Sequence, residues 1–358
     1  MAIGVNITRD IQYRIKIENG FLAKQNFRKY EASKIAVVTD PKIRSLHGEK
    51  LENLLRNQDF VVIELPRGEK GKTQKQAEKI LSKLAKQEFD RDSMIVAFGG
   101  GSVGDTAGFA ASRYMRGIRL IQVPTTLLAM VDSSIGGKVG VNTKEGKNMD
   151  GAFYHPIAVL SDTCLLETLP REEWKNGLAE IVKYAISNDY QLFDVLEQNS
   201  NPLNWSKGIL ANIIRTCCEI KKNIVEEDEL EIKGLREVLN YGHTVGHAIE
   251  KVSGYRIPHG TAIGIGMVYE AEIAEKICIL KKDKYARIIA LLKKTELFVS
   301  YNGDKSKLIA TMGKDKKNKE GEIRMALPVE PGYIIKDQKR RSISVNRKVI
   351  ESILRKVN

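Results

Sequence analysis

Short apolar runs, each stopped by a glycine, proline or aspartate, constrain the first half of this chain more than any other feature. Lys34-Ile35-Ala36-Val37-Val38-Thr39-Asp40 ends at Pro41, and Phe60 to Leu65 forms a second run. Met94 to Phe98 is a third, ending in Gly99-Gly100-Gly101, and Arg119 to Val123 a fourth, closed by Pro124-Thr125-Thr126. Runs this short and apolar suit strands buried on both faces. The helical patterns between them, such as Thr73 to Lys86, lead to a mainly parallel sheet. Gly4 to Glu18 reads as an edge hairpin. From about Pro170 helical periodicity takes over, across Gly177–Ser187, Leu210–Val225, Val238–Val252 and Thr261–Lys276. These patterns predict an α/β nucleotide-binding domain over 1–170 and a mainly α-helical domain over 171–358. The active site is expected in the cleft between them.

Gly99-Gly100-Gly101-Ser102-Val103-Gly104-Asp105 follows a strand and opens a helix. Glycines permit close backbone approach, and a helix N-terminus offers free N–H groups, which together suit a phosphate. The spacing is not G-x-G-x-x-G, and a tight turn is the simpler alternative. Pro66-Arg67-Gly68-Glu69-Lys70-Gly71-Lys72 and Asp40 end two other strands. Polar strand ends on one sheet edge fit a dinucleotide lying across it, with Asp105 placed for a ribose or an amide.

Five histidines occur in 358 residues, and His243, His247 and His259 lie in one region. A helix over Val238–Val252 would set His243 and His247 on one face, with Asn240 one turn before and Arg236 one turn earlier still. Such a face is costly to bury without a ligand or metal, although a polar face bridging solvent would need neither. A zinc-protease motif needs His-Glu-x-x-His; this chain has His-Thr-Val-Gly-His.

The net charge of +13 comes from lysines spread along the chain, and aromatic residues are only 6%. That favours a small anionic substrate over nucleic acid. Cys164, Cys217, Cys218 and Cys278 form no C-x-x-C pair, as in a reducing cytoplasm. No signal segment and no membrane-length apolar run is present.

Across nearly its whole length the chain resembles the 3-dehydroquinate synthases, within the sugar phosphate cyclases. The resemblance rests on Pro66-Arg67-Gly68-Glu69 with Lys72, on Gly99 to Asp105, and on the block from Val123 to Phe153, VPTTLLAMVDSSIGGKVGVNTKEGKNMDGAF. It continues through Gly177 to Lys183, Arg236 to His247 and His259-Gly260. It implies a Rossmann-like NAD domain beside the helical domain, and Glu180, His243 and His259 as ligands of zinc or cobalt. It also implies that Asp40, Glu69, Lys72, Gly100, Gly101, Ser102, Val103, Gly104, Asp105, Thr125, Thr126, Lys138, Lys147 and Thr168 hold NAD. Asp132, Lys138, Asn148, Lys183, Lys221, Arg236, Asn240, His247 and a lysine of Lys316-Lys317 would form the catalytic and substrate-binding set. Arg116 would reach a neighbouring subunit's site, making a homodimer.

The implied substrate, 3-deoxy-D-arabino-heptulosonate 7-phosphate of the shikimate pathway, brings a carboxylate and a phosphate. The implied reaction is transient oxidation at C5, phosphate elimination, re-reduction, ring opening and aldol closure. Two departures stand out. Thr261 follows His259-Gly260 where the family has Glu, leaving the outer partner of His259 open. Lys221 and Arg236 are one residue further apart than usual, so Lys222 competes for the role of Lys221. Glu250 reads as a solvated or capping residue, and His47 and His155 as ordinary. The rivals are a cyclase for a neutral sugar phosphate (valiolone or deoxy-inosose type), an amino-sugar variant, and a metal-dependent glycerol or alcohol dehydrogenase.

Overall fold

The apolar runs become a parallel sheet. The structure, a computed structural model, describes residues 10–25, 27–313, 322–338 and 340–354. Two units separate: Met1–Thr125 with Ser133–Leu165, and Thr126–Asp132 with Leu166–Asn358.

The first unit contains β1 (Arg14–Glu18), β2 (Ile35–Thr39), α1 (Pro41–Leu54), β3 (Phe60–Glu64), α2 (Gln74–Lys86), β4 (Met94–Gly99) and α3 (Gly101–Arg113). It continues with β5 (Arg119–Pro124), β6 (Lys138–Val141), β7 (Asp150–Phe153) and β8 (Ala158–Asp162). Six strands order as β1-β8-β5-β4-β2-β3, every pair parallel. β2, β4 and β8 are buried throughout, which explains their unbroken apolar character. Arg14–Glu18 is indeed an edge strand among the described residues, pairing parallel with β8; the first part of the expected hairpin, before Asp10, lies outside the described set.

Asp40 caps α1 by accepting from the N–H groups of Lys42 and Ile43 at 2.9 and 3.1 Å, with Pro41 in the first turn. α2 turns Ala77, Ile80 and Leu84 inward. α3 adds Val103, Ala107 and Ala110 to a core with Val38, Ile95 and Leu120. Each fully buried aliphatic side chain there contributes about 1.5–3 kcal/mol relative to exposure. β6 and β7 form an antiparallel hairpin whose Val139 and Val141 pack with Phe109.

The second unit contains α4 (Arg171–Ser187), α5 (Tyr190–Gln198), α6 (Lys207–Glu227), α7 (His243–Val252), α8 (His259–Lys276), α9 (Lys282–Lys294) and α10 (Lys305–Gly313). Short strands β9 (Glu322–Met325), β10 (Pro328–Glu330), β11 (Tyr333–Ile334) and β12 (Ile343–Asn346) precede α11 (Arg347–Leu354).

The continuous helix expected over Val238–Val252 is broken. Leu235–Asn240 is a 3₁₀ turn, Gly242 adopts φ +78°, and α7 starts at His243. The break faces α8: a Cβ on Gly266 would sit 1.9 Å from the Gly242 carbonyl oxygen. The two backbones touch where Gly242 turns, and only a residue without a Cβ at 266 allows that approach. Gly266→Ala should therefore cost about 2–3 kcal/mol, read as a lowered urea midpoint; an unchanged midpoint would show that the contact can relax freely.

Candidate active site

Three helices of the second unit converge on one carboxylate. Glu180, buried on α4, lies 3.3 Å through Oε1 from Nε2 of both His243 and His259, the first residues of α7 and α8. One ligand atom from each of the three lies within 4.8 Å of the others. Each imidazole turns its second nitrogen to an oxygen. Nδ1 of His243 faces the Tyr241 carbonyl at 3.1 Å, and Nδ1 of His259 faces Glu250 Oε2 at 3.5 Å. A carbonyl only accepts, so Nδ1 of His243 donates and Nε2 is left for another partner. Metal-bound histidines are held in the same way. Two imidazoles and one carboxylate suit zinc or cobalt with positions left for substrate oxygens.

The charges are strongly coupled. Burial pushes Glu180 up, but Lys183, one turn along α4, and His243 outweigh it and hold the carboxyl well below its usual range. Burial pushes His259 down, but Glu180 and Glu250 prevail and raise it to about 9. Lys183 is buried, and its ammonium also lies 4.5 Å over the Tyr184 ring.

Beside this cluster, Asp132 accepts from Lys221 Nζ at 2.8 Å and from Tyr184 Oη at 2.5 Å. Burial favours the neutral acid, yet Lys221 and Lys183 hold Asp132 at about 2. Lys221 also donates to the Asp132 carbonyl at 2.7 Å, whereas Lys222 is exposed and pairs with Glu226. Lys221 is thus the inward lysine. The loop after α6 leads from Lys221 toward Arg236, and in it Glu231 and Gly234 have φ of +59° and +78°. Asp228 organises that loop by accepting from the N–H groups of Lys233, Leu235 and Arg236. Arg236 is 2% exposed; Nη1 donates to the Glu229 carbonyl, and Nε has no partner.

His243 and His247 do share a face of α7, with ring centroids 5.0 Å apart. Arg236 and Asn240 do not belong to that helix; both lie on the preceding 3₁₀ turn. Glu250 is buried rather than solvated, and it meets the nitrogen of His259 that the Thr261 departure left open. Tyr184, one turn past Glu180, and Glu250, one turn before Gly254, were legible only as helical neighbours of the motif residues.

In the first unit, the N-termini of α1 and α3 and the turn after β3 share one sheet edge, since β4, β2 and β3 are adjacent and parallel. Gly100 precedes α3 without any side-chain cap, leaving N–H groups at Gly101, Ser102 and Val103 for an anion, while the Gly104 N–H donates to the Gly100 carbonyl at 3.0 Å. Asp105 pairs with Lys72 at 2.5 Å, and Glu69 accepts from Asn142. Thr125 is buried with an unpartnered hydroxyl, an orphan that a bound cofactor would satisfy. This donor-rich, glycine-lined edge fits NAD. Lys138 and Asn148 are exposed on and after β6, Lys147 is half-buried, and Arg116 is exposed at φ +68°. Thr126, which accepts from the Ala129 N–H, and exposed Thr168 belong to the second unit. Asp40 already caps α1. Lys316 and Lys317 lie outside the described residues.

The family models for the 3-dehydroquinate synthase N-terminal and C-terminal parts match residues 62–176 and 177–318. A 3-dehydroquinate synthase of Caldanaerobacter subterraneus subsp. tengcongensis is 45% identical over 320 residues, 88% of this chain and 89% of that protein. The chain belongs to the 3-dehydroquinate synthase family. Two solved relatives share its fold. A 2-deoxy-scyllo-inosose synthase complexed with carbaglucose-6-phosphate, NAD+ and Co2+ is 28% identical with a TM-score of 0.88, covering 96% of both chains. A 2-epi-5-epi-valiolone synthase from Streptomyces hygroscopicus subsp. jinggangensis, with NAD+ and Zn2+ bound, is 26% identical with a TM-score of 0.88, covering 98% of both. Among the described residues of this family member, no helix is long and apolar enough to cross a membrane.

The raised His259 makes a signed prediction for metal-stripped protein. Its folded value of about 9 exceeds the ordinary 6.5, so its stabilisation is complete below pH 6.5 and is lost as pH rises toward 9. The stability difference between this protein and a His259→Gln variant should shrink across that window. Saturating zinc, which needs the neutral imidazole, should make the difference grow instead. Urea midpoints at several pH values read both trends; a flat difference without metal would contradict the protonated pair.

Proposed function

We propose that this protein converts 3-deoxy-D-arabino-heptulosonate 7-phosphate into 3-dehydroquinate and phosphate. It would act as an NAD- and divalent-metal-dependent carbon–oxygen lyase, a homodimer in the cytoplasm. Family membership supports the reaction class. Arg236 carries the choice of a carboxylated substrate over a neutral one. It is a buried guanidinium with an unpartnered Nε and, among the described residues, no carboxylate at ion-pair distance. An uncompensated buried cation is costly, and a substrate carboxylate would satisfy it in a planar fork.

Glu180, His243 and His259 would hold the metal. The Gly100–Asp105 turn would hold NAD with Asp40, Glu69, Lys72, Thr125, Thr126, Lys138, Lys147 and Thr168, which assigns cofactor binding mainly to 1–170 and metal and substrate binding mainly to 171–358. When bound, the two groups supply transient oxidation at C5 and polarisation of the C5 oxygen. Arg236 grips the carboxylate with Lys221 beside it, and ionised Asp132 keeps that lysine in place. Lys138, Asn148, Asn240, His247 and a lysine of Lys316-Lys317 donate to the phosphate, while Lys183 neutralises Glu180. With C5 at the ketone level the C6 proton is acidic. The departing phosphate takes it, held in line by Asn240 and His247. The exposure of Arg116 supports a role toward a neighbouring subunit.

Phosphate release from the heptulosonate 7-phosphate, with zinc and trace NAD, tests the reading. Expected are one phosphate and one 3-dehydroquinate per substrate, no NADH accumulation, and little turnover of a heptulose 7-phosphate lacking the carboxylate. Stoichiometric NADH would point to a dehydrogenase, and preference for the neutral sugar to another cyclase. In the same assay, Lys221→Met should lower kcat/KM by at least about a hundredfold, since it strands Asp132 and removes a substrate cation. Lys222→Met should stay within about twofold of the unsubstituted protein, as expected for an exposed pair; the reverse ranking would overturn the register.

A further inference from the structure

Two of the helices that bear the metal-ligand set begin without a cap of their own. α7 opens after Gly242, which has no side chain, and α8 after Pro258, which offers no side-chain acceptor. The N–H groups of a helix's first turn need partners from somewhere. Here they come from other helices. Asn176, one turn before Glu180 on α4, accepts from the Gly260 N–H at 2.8 Å. Glu270, three turns into α8, accepts from the N–H groups of Gly242 at 2.7 Å and Val245 at 3.1 Å, with the Thr244 N–H also directed at it. Glu270 is fully buried, and among the described residues the hydrogen bonds its carboxyl accepts come from that first turn.

The packing around these contacts is tight. Gly266, one turn before Glu270, meets the Gly242 carbonyl, and a Cβ on Gly246 would lie 2.6 Å from Ile263 Cδ1. Tyr241 adds a hydroxyl bond of 2.8 Å to the Met267 carbonyl. A Cβ on Gly260 would lie 2.6 Å from Asn176 Cα. Each capped helix start is therefore pressed against the helix that caps it.

We propose that Glu270 is a positioning residue of the metal centre. From α8 it holds the first turn of α7, and with it the imidazole of His243, in register with His259 and Glu180. Asn176 does the same for α8 from α4. The chain of caps runs α4 to α8 to α7 and joins the three ligand-bearing helices without touching a ligand side chain. The inference rests on the reading of Glu180, His243 and His259 as the metal site. A cap that merely stabilised the fold would change the melting temperature and leave metal affinity alone. A positioning cap changes the affinity of protein that is still folded.

The test uses the full chain at a temperature where circular dichroism shows each variant folded. Zinc affinity is measured by chelator competition, and ligand geometry by the visible absorption of the Co2+-loaded protein. Glu270→Ala should raise the Kd for zinc by about tenfold, the lower end of what outer-sphere partners of metal ligands contribute, and should alter the Co2+ bands. Glu270→Gln, which keeps one carbonyl acceptor, should fall between, and Asn176→Ala should weaken zinc in the same direction. A Kd within twofold of the unsubstituted protein in all folded variants, with only the melting temperature lowered, overturns the proposal. If Glu270→Ala does not fold, Glu270→Gln and Asn176→Ala decide it alone. If a His243→Ala variant binds zinc as tightly as the unsubstituted protein, the metal-site reading itself is wrong and the proposal falls with it.

Discussion

A carboxylate buried as deeply as Glu180 cannot stand alone. Without companions it would cost several kcal/mol or take up a proton. Its companions are Lys183 on the same helix and two imidazoles that open two other helices. Much of the second unit follows from bringing those groups to one point. α7 and α8 must both start at the cluster, so their first turns need partners there. The second nitrogen of each imidazole must also find an oxygen, which Tyr241 and Glu250 provide.

Close backbone approach makes this convergence possible. α8 meets α7 at Gly266 and α4 at Gly260, positions where a Cβ would clash with main-chain atoms. The first unit uses the same device for another purpose. Its glycine-rich strand end at β4 leaves N–H groups uncapped on a sheet edge shared with Asp40 and with the Glu69–Lys72 turn. In both units small residues stand where groups must come close, and charged residues stand where a ligand would meet them.

The buried strands were plain in the sequence because strands covered on both faces are apolar throughout, and α2, α4, α6 and α8 were plain from their periodicity. The break before His243 was not. Periodicity across Val238–Val252 is helical, and the interruption falls at Gly242, where the chain lies against Gly266 on another helix. Choosing between Lys221 and Lys222 was equally out of reach, since adjacent residues differ only in which side of α6 faces Asp132. Glu250 looked like an ordinary helical glutamate. Its burial against His259 depends on α7 and α8 folding side by side.

By itself, the sequence determined which kinds of residue were available and on which elements they sit. These were a parallel-sheet half with glycine and acidic strand ends, and a helical half with a carboxylate and clustered histidines. Both follow from local periodicity and residue chemistry, which are written along the chain. The tertiary structure decided which nitrogen of each histidine is committed, which lysine faces inward, and that Arg236 is buried with an unpartnered Nε. It also decided that two helix starts are capped by their neighbours. Those outcomes depend on distances between segments far apart in the chain, and such distances are set only when the helices pack.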